Sequence, residues 1–248
     1  MLIPLAALVS GSAVAHPGIG RSGGTGAVAR SGGAAGVSRP GDAAAVSRPG
    51  VTLLATTHGT IPRFAAPGGP RTGRVPGSWH HAPSTLPVIA TRAGWLDVRL
   101  AQRPNGSTAW VRASGVSLGA TAYAIVIDLR ATRLTLYRDG RRVFSAPAGV
   151  GAAGVPTPAG HFFVAFIASP PAPDYGPFVM VTSAHSTAIS DWDSSGDAMV
   201  GIHGPLGAGA VIGRTGARIS HGCIRLHDRD LARLSDVPAG TPVTIVSS

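Results

Sequence analysis

The clearest pattern in this chain is a period-two alternation of apolar and polar side chains, punctuated by glycine, proline and asparagine. In residues 133–138, RLTLYR, an extended backbone puts Leu134 and Leu136 on one face and Thr135 and Tyr137 on the other. AYAIVIDL (122–129) predicts the strand before it. Asp139-Gly140 predicts a hairpin turn, and RRVFSAPAG (141–149) the returning strand. PTPAGHFFVAFI (156–167) reads as a turn followed by another strand. Upstream, VTLLATT, LPVIATRAGWLDVRL and STAWVRASGVSL carry shorter runs. There Trp95, Val98 and Leu100 read partly as an inward face. Asn105-Gly106 predicts a tight hairpin with φ > 0 at both central positions, and Trp110-Val111 the strand that returns from it.

Helical spacing is clear only in 228–235, DRDLARLS, where Leu231 and Leu234 stand i, i+3 and Asp228 or His227 is placed to cap. Pro238 follows its end, and 241–246 reads as a closing strand. There is no βαβ rhythm and no glycine-rich phosphate-binding fingerprint. The expected fold is therefore mainly β with short helices, in a small β domain over 51–118 and a larger one over 121–248.

Composition sets the head of the chain apart. Residues 16–50 are rich in Gly, Ala, Ser and Pro and repeat SRPG, so they cannot bury enough surface to offset chain entropy. They are expected to be a disordered, flexible tether, spanning about 5–6 Å × √n. Residues 1–15, MLIPLAALVSGSAVA, resemble the apolar region and A-x-A cleavage site of a signal peptide, without its charged start. That predicts a secreted protein of the cell envelope. No apolar run reaches the roughly 20 residues that a membrane helix needs.

The formal charge is +10 and the chain has no lysine. The arginines are scattered instead of forming a basic helix, so nucleic acid is not an expected partner. An anionic polymer or envelope surface fits the same charge.

The one cysteine, Cys223, excludes an internal disulfide and is the sole thiol nucleophile available. It lies in Ser220-His221-Gly222-Cys223-Ile224-Arg225, and His203 closes the apolar run MVGIH upstream. A thiol attacks as thiolate, so it needs a base or backbone N–H groups near it. Both His203 and His221 are candidates. If 221–226 is extended, His221 and Cys223 point the same way, while His203 would approach from a neighbouring strand. Gly222 lets backbone N–H groups face an oxyanion with no Cβ in the way.

His203, a spacer of sixteen residues and then SHGCIR resemble the L,D-transpeptidase (YkuD-like) family. The hairpin VIDLRATRLTLYRDG, the turn TPAGHF (157–162) and SAHS (183–186) resemble it too, and the likeness covers about 122–246. The stretch GWLDVRL…RPNGSTAWVRASGV resembles the SH3-like modules found beside wall enzymes. The resemblance implies a YkuD-like β-sandwich catalytic domain behind a small SH3-like domain.

It also implies Cys223 as nucleophile and His203 as base, with the second imidazole nitrogen held by the Gly204 carbonyl. The oxyanion hole would come from the N–H groups of Gly222 and Cys223, with His221, while His221 and Ser220 orient the loop. Arg225 stands where many members carry Asn and would meet a peptide carboxylate. Tyr175 and Phe178, in the proline-rich stretch SPPAPDYGPFVMV, would line the groove for the substrate. The implied partners are peptidoglycan stem peptides, with release of D-Ala, formation of 3→3 cross-links and acylation by carbapenems. No cofactor or metal is implied. L,D-carboxypeptidase action and protein anchoring by the same chemistry are the alternatives. Two rival classes are a zinc hydrolase using His185, His203, His221 and Cys223, and a non-enzymatic wall-binding protein.

Overall fold

The computed structural model describes residues 50–191, 196–214 and 216–247. The signal-like segment 1–15 and nearly all of the 16–50 tether lie outside the described residues.

The first half is built from β1 (Thr52–Thr57), β2 (Ile61–Phe64), β3 (Arg71–Val75), β4 (Ser78–Trp79), β5 (Ala82–Pro83), β6 (Thr85–Arg92), β7 (Trp95–Arg99), β8 (Thr108–Arg112) and β9 (Val116–Thr121). Seven of these make one antiparallel sheet, ordered β3-β2-β8-β7-β6-β1-β9, and β4 and β5 pair separately. The likeness to SH3-like modules rests on the sequence pattern alone.

Two local expectations change here. Leu96, Val98 and Leu100 form the inward face of the β7 region. Trp95 is also buried, but it stacks edge-on to Phe64 at 5.0 Å and beneath the Arg112 guanidinium at 4.4 Å. Period two forbids residues 95 and 98 from sharing a face. At the second position only Gly106 has positive φ, 82°; Asn105 does not. Ser107 N–H bonds to Pro104 O, so the turn is of the type II kind, inside a longer β7–β8 loop. A tight hairpin with two positive-φ residues is found instead at Ala93-Gly94, φ 36° and 82°, between β6 and β7.

The second half comprises β10 (Tyr123–Asp128), β11 (Arg133–Arg138), β12 (Arg141–Pro147), β13 (Val150–Gly151), β14 (Gly160–Ala168), β15 (Val179–His185), β16 (Met199–His203), β17 (Arg218–Ser220), β18 (Ile224–Arg225), α1 (Asp228–Leu231), a 3-10 turn to Leu234, and β19 (Pro242–Val246). The sheet order is β12-β11-β10-β19-β14-β15-β16-β18. The final strand is therefore central, parallel to β10 and antiparallel to β14. His227 occupies the cap position of α1 but makes no side-chain cap bond.

Leu134 on β11 and Ile224 on β18 come from distant places in the strand order, yet they share one core with Leu231 and Leu234. The sheet thus closes over itself. Gly149, just past β12, exchanges two 2.8 Å backbone bonds with Arg225 on β18 and ties the two ends together.

The run FFVAF (162–166) is continuously apolar because this middle part of β14 is buried on both faces. Phe162 and Val164 enter the core just described. Phe163, Ala165 and Phe166 enter a second core shared with Leu86, Leu96, Val98 and Val111 of the first half. Ala165 and Phe166 share a side because the register of β14 against β15 shifts between Val164 and Phe166. No helix among the described residues is long and apolar enough to cross a membrane.

Candidate active site

Three strand ends build the site. β16 delivers Gly201 and His203, and β18 runs parallel beside it, with Ile202 opposite Ile224 and His203 opposite Arg225. On its other flank the 218–225 segment pairs with β13 and Gly149.

Between β17 and β18 the chain turns at Gly222, whose φ of +119° disfavours any side chain. The segment 221–226 is therefore not continuously extended. His221 is exposed, whereas Cys223 is only 5% exposed, so the two do not share a face.

Ser220 staples this turn. Its Oγ donates to Cys223 O at 2.5 Å and accepts from Gly222 N–H at 3.1 Å. The Gly222 N–H is thus already committed, contrary to its expected place in an oxyanion hole. Thr157 adds a second staple that the sequence reading did not single out. Its hydroxyl donates to Gly222 O at 2.7 Å and accepts from Gly151 N–H at 2.9 Å. The signal was present in the turn TPAGHF, but nothing in sequence shows which carbonyl a buried threonine meets.

The thiol and the imidazole converge over Gly201. Gly201 N–H points at Cys223 Sγ, 3.4 Å away. A Cβ built on Gly201 would lie 3.9 Å from Sγ and 3.7 Å from His203 Cδ2, the ring carbon bonded to Nε2. His203 Nδ1 lies 2.8 Å from Gly204 O. A carbonyl only accepts, so Nδ1 carries the proton and Nε2 keeps a free lone pair. Gly204 is itself anchored, its N–H bonding to Tyr175 O at 2.7 Å. The Tyr175 ring stacks obliquely on His203 with centroids 4.9 Å apart.

Burial governs the protonation of this group. Desolvation lowers His203 to about 4, against the pull of the Gly204 hydrogen bond, and the Arg225 charge lowers it further. Desolvation pushes the Cys223 thiol up, opposed by the Gly201 N–H and by Arg225. Tyr175 is pushed up to about 12, first by burial and then by its nearness to Cys223. The resting pair near neutral pH is a thiol and a neutral imidazole.

Arg225 is not a solvated strand residue. It is 9% exposed, acts electrostatically on Cys223, His203 and Tyr175, and its buried Nε has no hydrogen-bond partner among the described residues. Phe178 is half-buried and packs on the core of the second half. His185 sits apart, with Nδ1 2.6 Å from Asp197. Among the described residues no three His, Cys, Asp or Glu side chains gather as a metal site.

A β scaffold that buries one thiol beside a tautomer-fixed imidazole defines a site suited to acyl transfer. The L,D-transpeptidase catalytic-domain family, YkuD, matches residues 122–245, and the chain belongs to it. Two curated YkuD proteins, from Bacillus licheniformis and Bacillus subtilis, are 32% and 31% identical over 124 residues. That is 50% of this chain and 65% of theirs. The match thus spans about two-thirds of those relatives' length, just short of that fraction. Among solved structures, an L,D-transpeptidase from Mycobacterium smegmatis is similar at 20% identity and a TM-score of 0.40, over 65% of this chain and 82% of that one. The catalytic domain of an E. faecium L,D-transpeptidase is similar at 26% identity and a TM-score of 0.36, over 50% and 96%.

Proposed function

We propose that this protein is an L,D-transpeptidase acting on peptidoglycan stem tetrapeptides outside the cytoplasm, through a thioester on Cys223. The observation that carries this reading is the buried Cys223 thiol over Gly201, beside a His203 whose Nε2 is left as acceptor.

His203 Nε2 takes the thiol proton as Sγ attacks the carbonyl of the third stem residue. The tetrahedral oxyanion is held by the Cys223 N–H, and by the Gly222 N–H only if Ser220 Oγ releases it. Collapse breaks the bond to terminal D-Ala, whose nitrogen leaves with the proton from His203. An amine then attacks the thioester, gives its proton to His203 and frees Sγ. A side-chain amine on a second stem yields a 3→3 cross-link, a protein amine yields anchoring, and water yields carboxypeptidase activity.

Arg225 is the proposed partner of a substrate carboxylate, because its buried Nε lacks one. Tyr175 forms the wall behind His203. The same thiol is expected to be acylated by carbapenems.

The test is muropeptide analysis with a defined tetrapeptide, wild type beside Cys223→Ala. Loss of D-Ala release and of every acyl product in the variant supports the reading. Equal turnover by the variant would sink it. Intact-protein mass spectrometry reports the carbapenem adduct independently.

A further inference from the structure

The two halves of the molecule are joined by directional contacts that the chemistry above leaves unused. They come from the β7–β8 loop. The Asn105 side chain forms a two-bond clamp on the end of β15: Nδ2 donates to His185 O and Oδ1 accepts from His185 N–H, both at 2.8 Å. Its carboxamide thus stands where the peptide of a neighbouring strand would. Arg103 spans the next turn. Nε reaches Asp197 Oδ1 at 2.9 Å, Nη1 reaches Ser186 O at 2.9 Å, and Nη2 reaches Ile189 O at 3.2 Å. The other oxygen of Asp197 holds the fully buried His185 at 2.6 Å.

This hook closes the β15–β16 connection at its base, where Ser186 N–H bonds to Ala198 O at 2.8 Å and His185 stands opposite Met199. Farther along the same pair, Val181 stands opposite Gly201 and Met180 opposite Ile202. Between Val181 and His185 the register is broken. Pairing with β15 alone therefore does not tie the Met199 end of β16 to its Gly201–His203 end, where β18 pairs on the other flank. A slip of one residue would send Gly201 and His203 to the opposite face.

We propose that Asn105 and Arg103 are positioning residues of the catalytic reaction: from the N-terminal half, they set the register of β16 and so hold Gly201 and His203 against Cys223. The inference rests on the reading of Cys223 and His203 as the reacting pair. It makes the first half part of the catalytic unit.

The experiment uses the full chain and the rate of Cys223 alkylation by iodoacetamide from about pH 6 to about pH 11, a range that takes in a thiol raised by burial, with circular dichroism to keep every variant below its unfolding transition. Cys223 is the only thiol, so the readout is unambiguous. Asn105→Ala and Arg103→Ala are expected to lower the rate at pH 7 by roughly tenfold or more and to move the midpoint of the pH profile upward. Arg103→Lys, which keeps the charge facing Asp197 without the fork, is expected to recover part of the loss. It also serves if the alanine variants fail to fold. Folded variants with wild-type rates and midpoints would overturn the proposal, since a merely structural clamp lowers the melting temperature and leaves the profile in place. His203→Ala is the control. If it alkylates like wild type, the underlying pair is wrong and the inference falls with it.

Discussion

At the scale of single residues, burial decides which protons the site carries. His203 titrates at about 4 in the folded chain, against an ordinary 6.5. Between those pH values the unfolded chain binds a proton that the folded chain refuses. Stability therefore falls as the pH drops from about 6.5 to about 4, by roughly 3 kcal/mol for a shift of this size. Urea unfolding at pH 4.5 and pH 7 is expected to show this loss in wild type and little of it in His203→Gln. An unchanged slope in the variant would mean that other groups carry the acid sensitivity.

Thr157 offers a second residue-scale test. Replacement by Val strands Gly222 O and Gly151 N–H in a buried loop, which costs about 1–3 kcal/mol and loosens the Gly222-Cys223 turn. Thr157→Val is expected to lower both the melting temperature and the rate of D-Ala release, and Thr157→Ser to restore them. Full activity in Thr157→Val would show that Ser220 holds the turn alone.

At the scale of elements, β16 ends by crossing the Pro173–Tyr175 turn at backbone contact. A Cβ on Gly204 would stand 2.6 Å from Tyr175 C and 2.7 Å from both Gly176 N and Asp228 Oδ1. Two of these neighbours are backbone and have little room to yield. Gly204→Ala is therefore expected to cost about 1–3 kcal/mol and to displace the carbonyl that fixes the His203 tautomer. Activity should fall more than this stability loss accounts for, as D-Ala release measured well below the unfolding transition will show.

The same crossing marks how far sequence reasoning reaches. The alternation in RLTLYR places Leu134 and Leu136 in the core without any structure, because period two is a local property. The pairing of His203 with the SHGCIR turn is legible from the motif. The two-residue strands Ser78–Trp79 and Ala82–Pro83 carry no such signal, and their turn puts His80 and His81 at φ of 46° and 69°, where asparagine or glycine is usual. Nor does Asn105 announce itself. Asn-Gly suggests a hairpin, and β7 and β8 do form one, but nothing in the pair shows that the Asn105 side chain also clamps a strand eighty residues away. Burial of His203, Cys223 and Arg225 depends on which strands close over them, which is a property of topology.

For the whole molecule, the decisive feature is that β14 and β15 belong to two cores. Met180 and Ala184 face one; Val179 and Val181 face the other, together with Tyr175 and residues of the first half. Neither half can lose its partner without exposing Phe163, Phe166 and Val179 to water. Unfolding of the described region should therefore be one cooperative transition, not two. Phe163 is 1% exposed and lies at this junction. Phe163→Ala is expected to destabilise by about 3–5 kcal/mol, which for a chain of this size lowers Tm by roughly 6–20 °C. Trp79, Trp95 and Trp110 lie in the first half and the fourth tryptophan, Trp192, in the second, so in a Trp192→Phe background tryptophan fluorescence reports the first half, while the onset of Cys223 alkylation on heating reports the other. Both signals should shift together in Phe163→Ala. If alkylation moves and the fluorescence transition stays where it is in wild type, the halves fold independently. The register of β16 would then have to be fixed from within the catalytic domain.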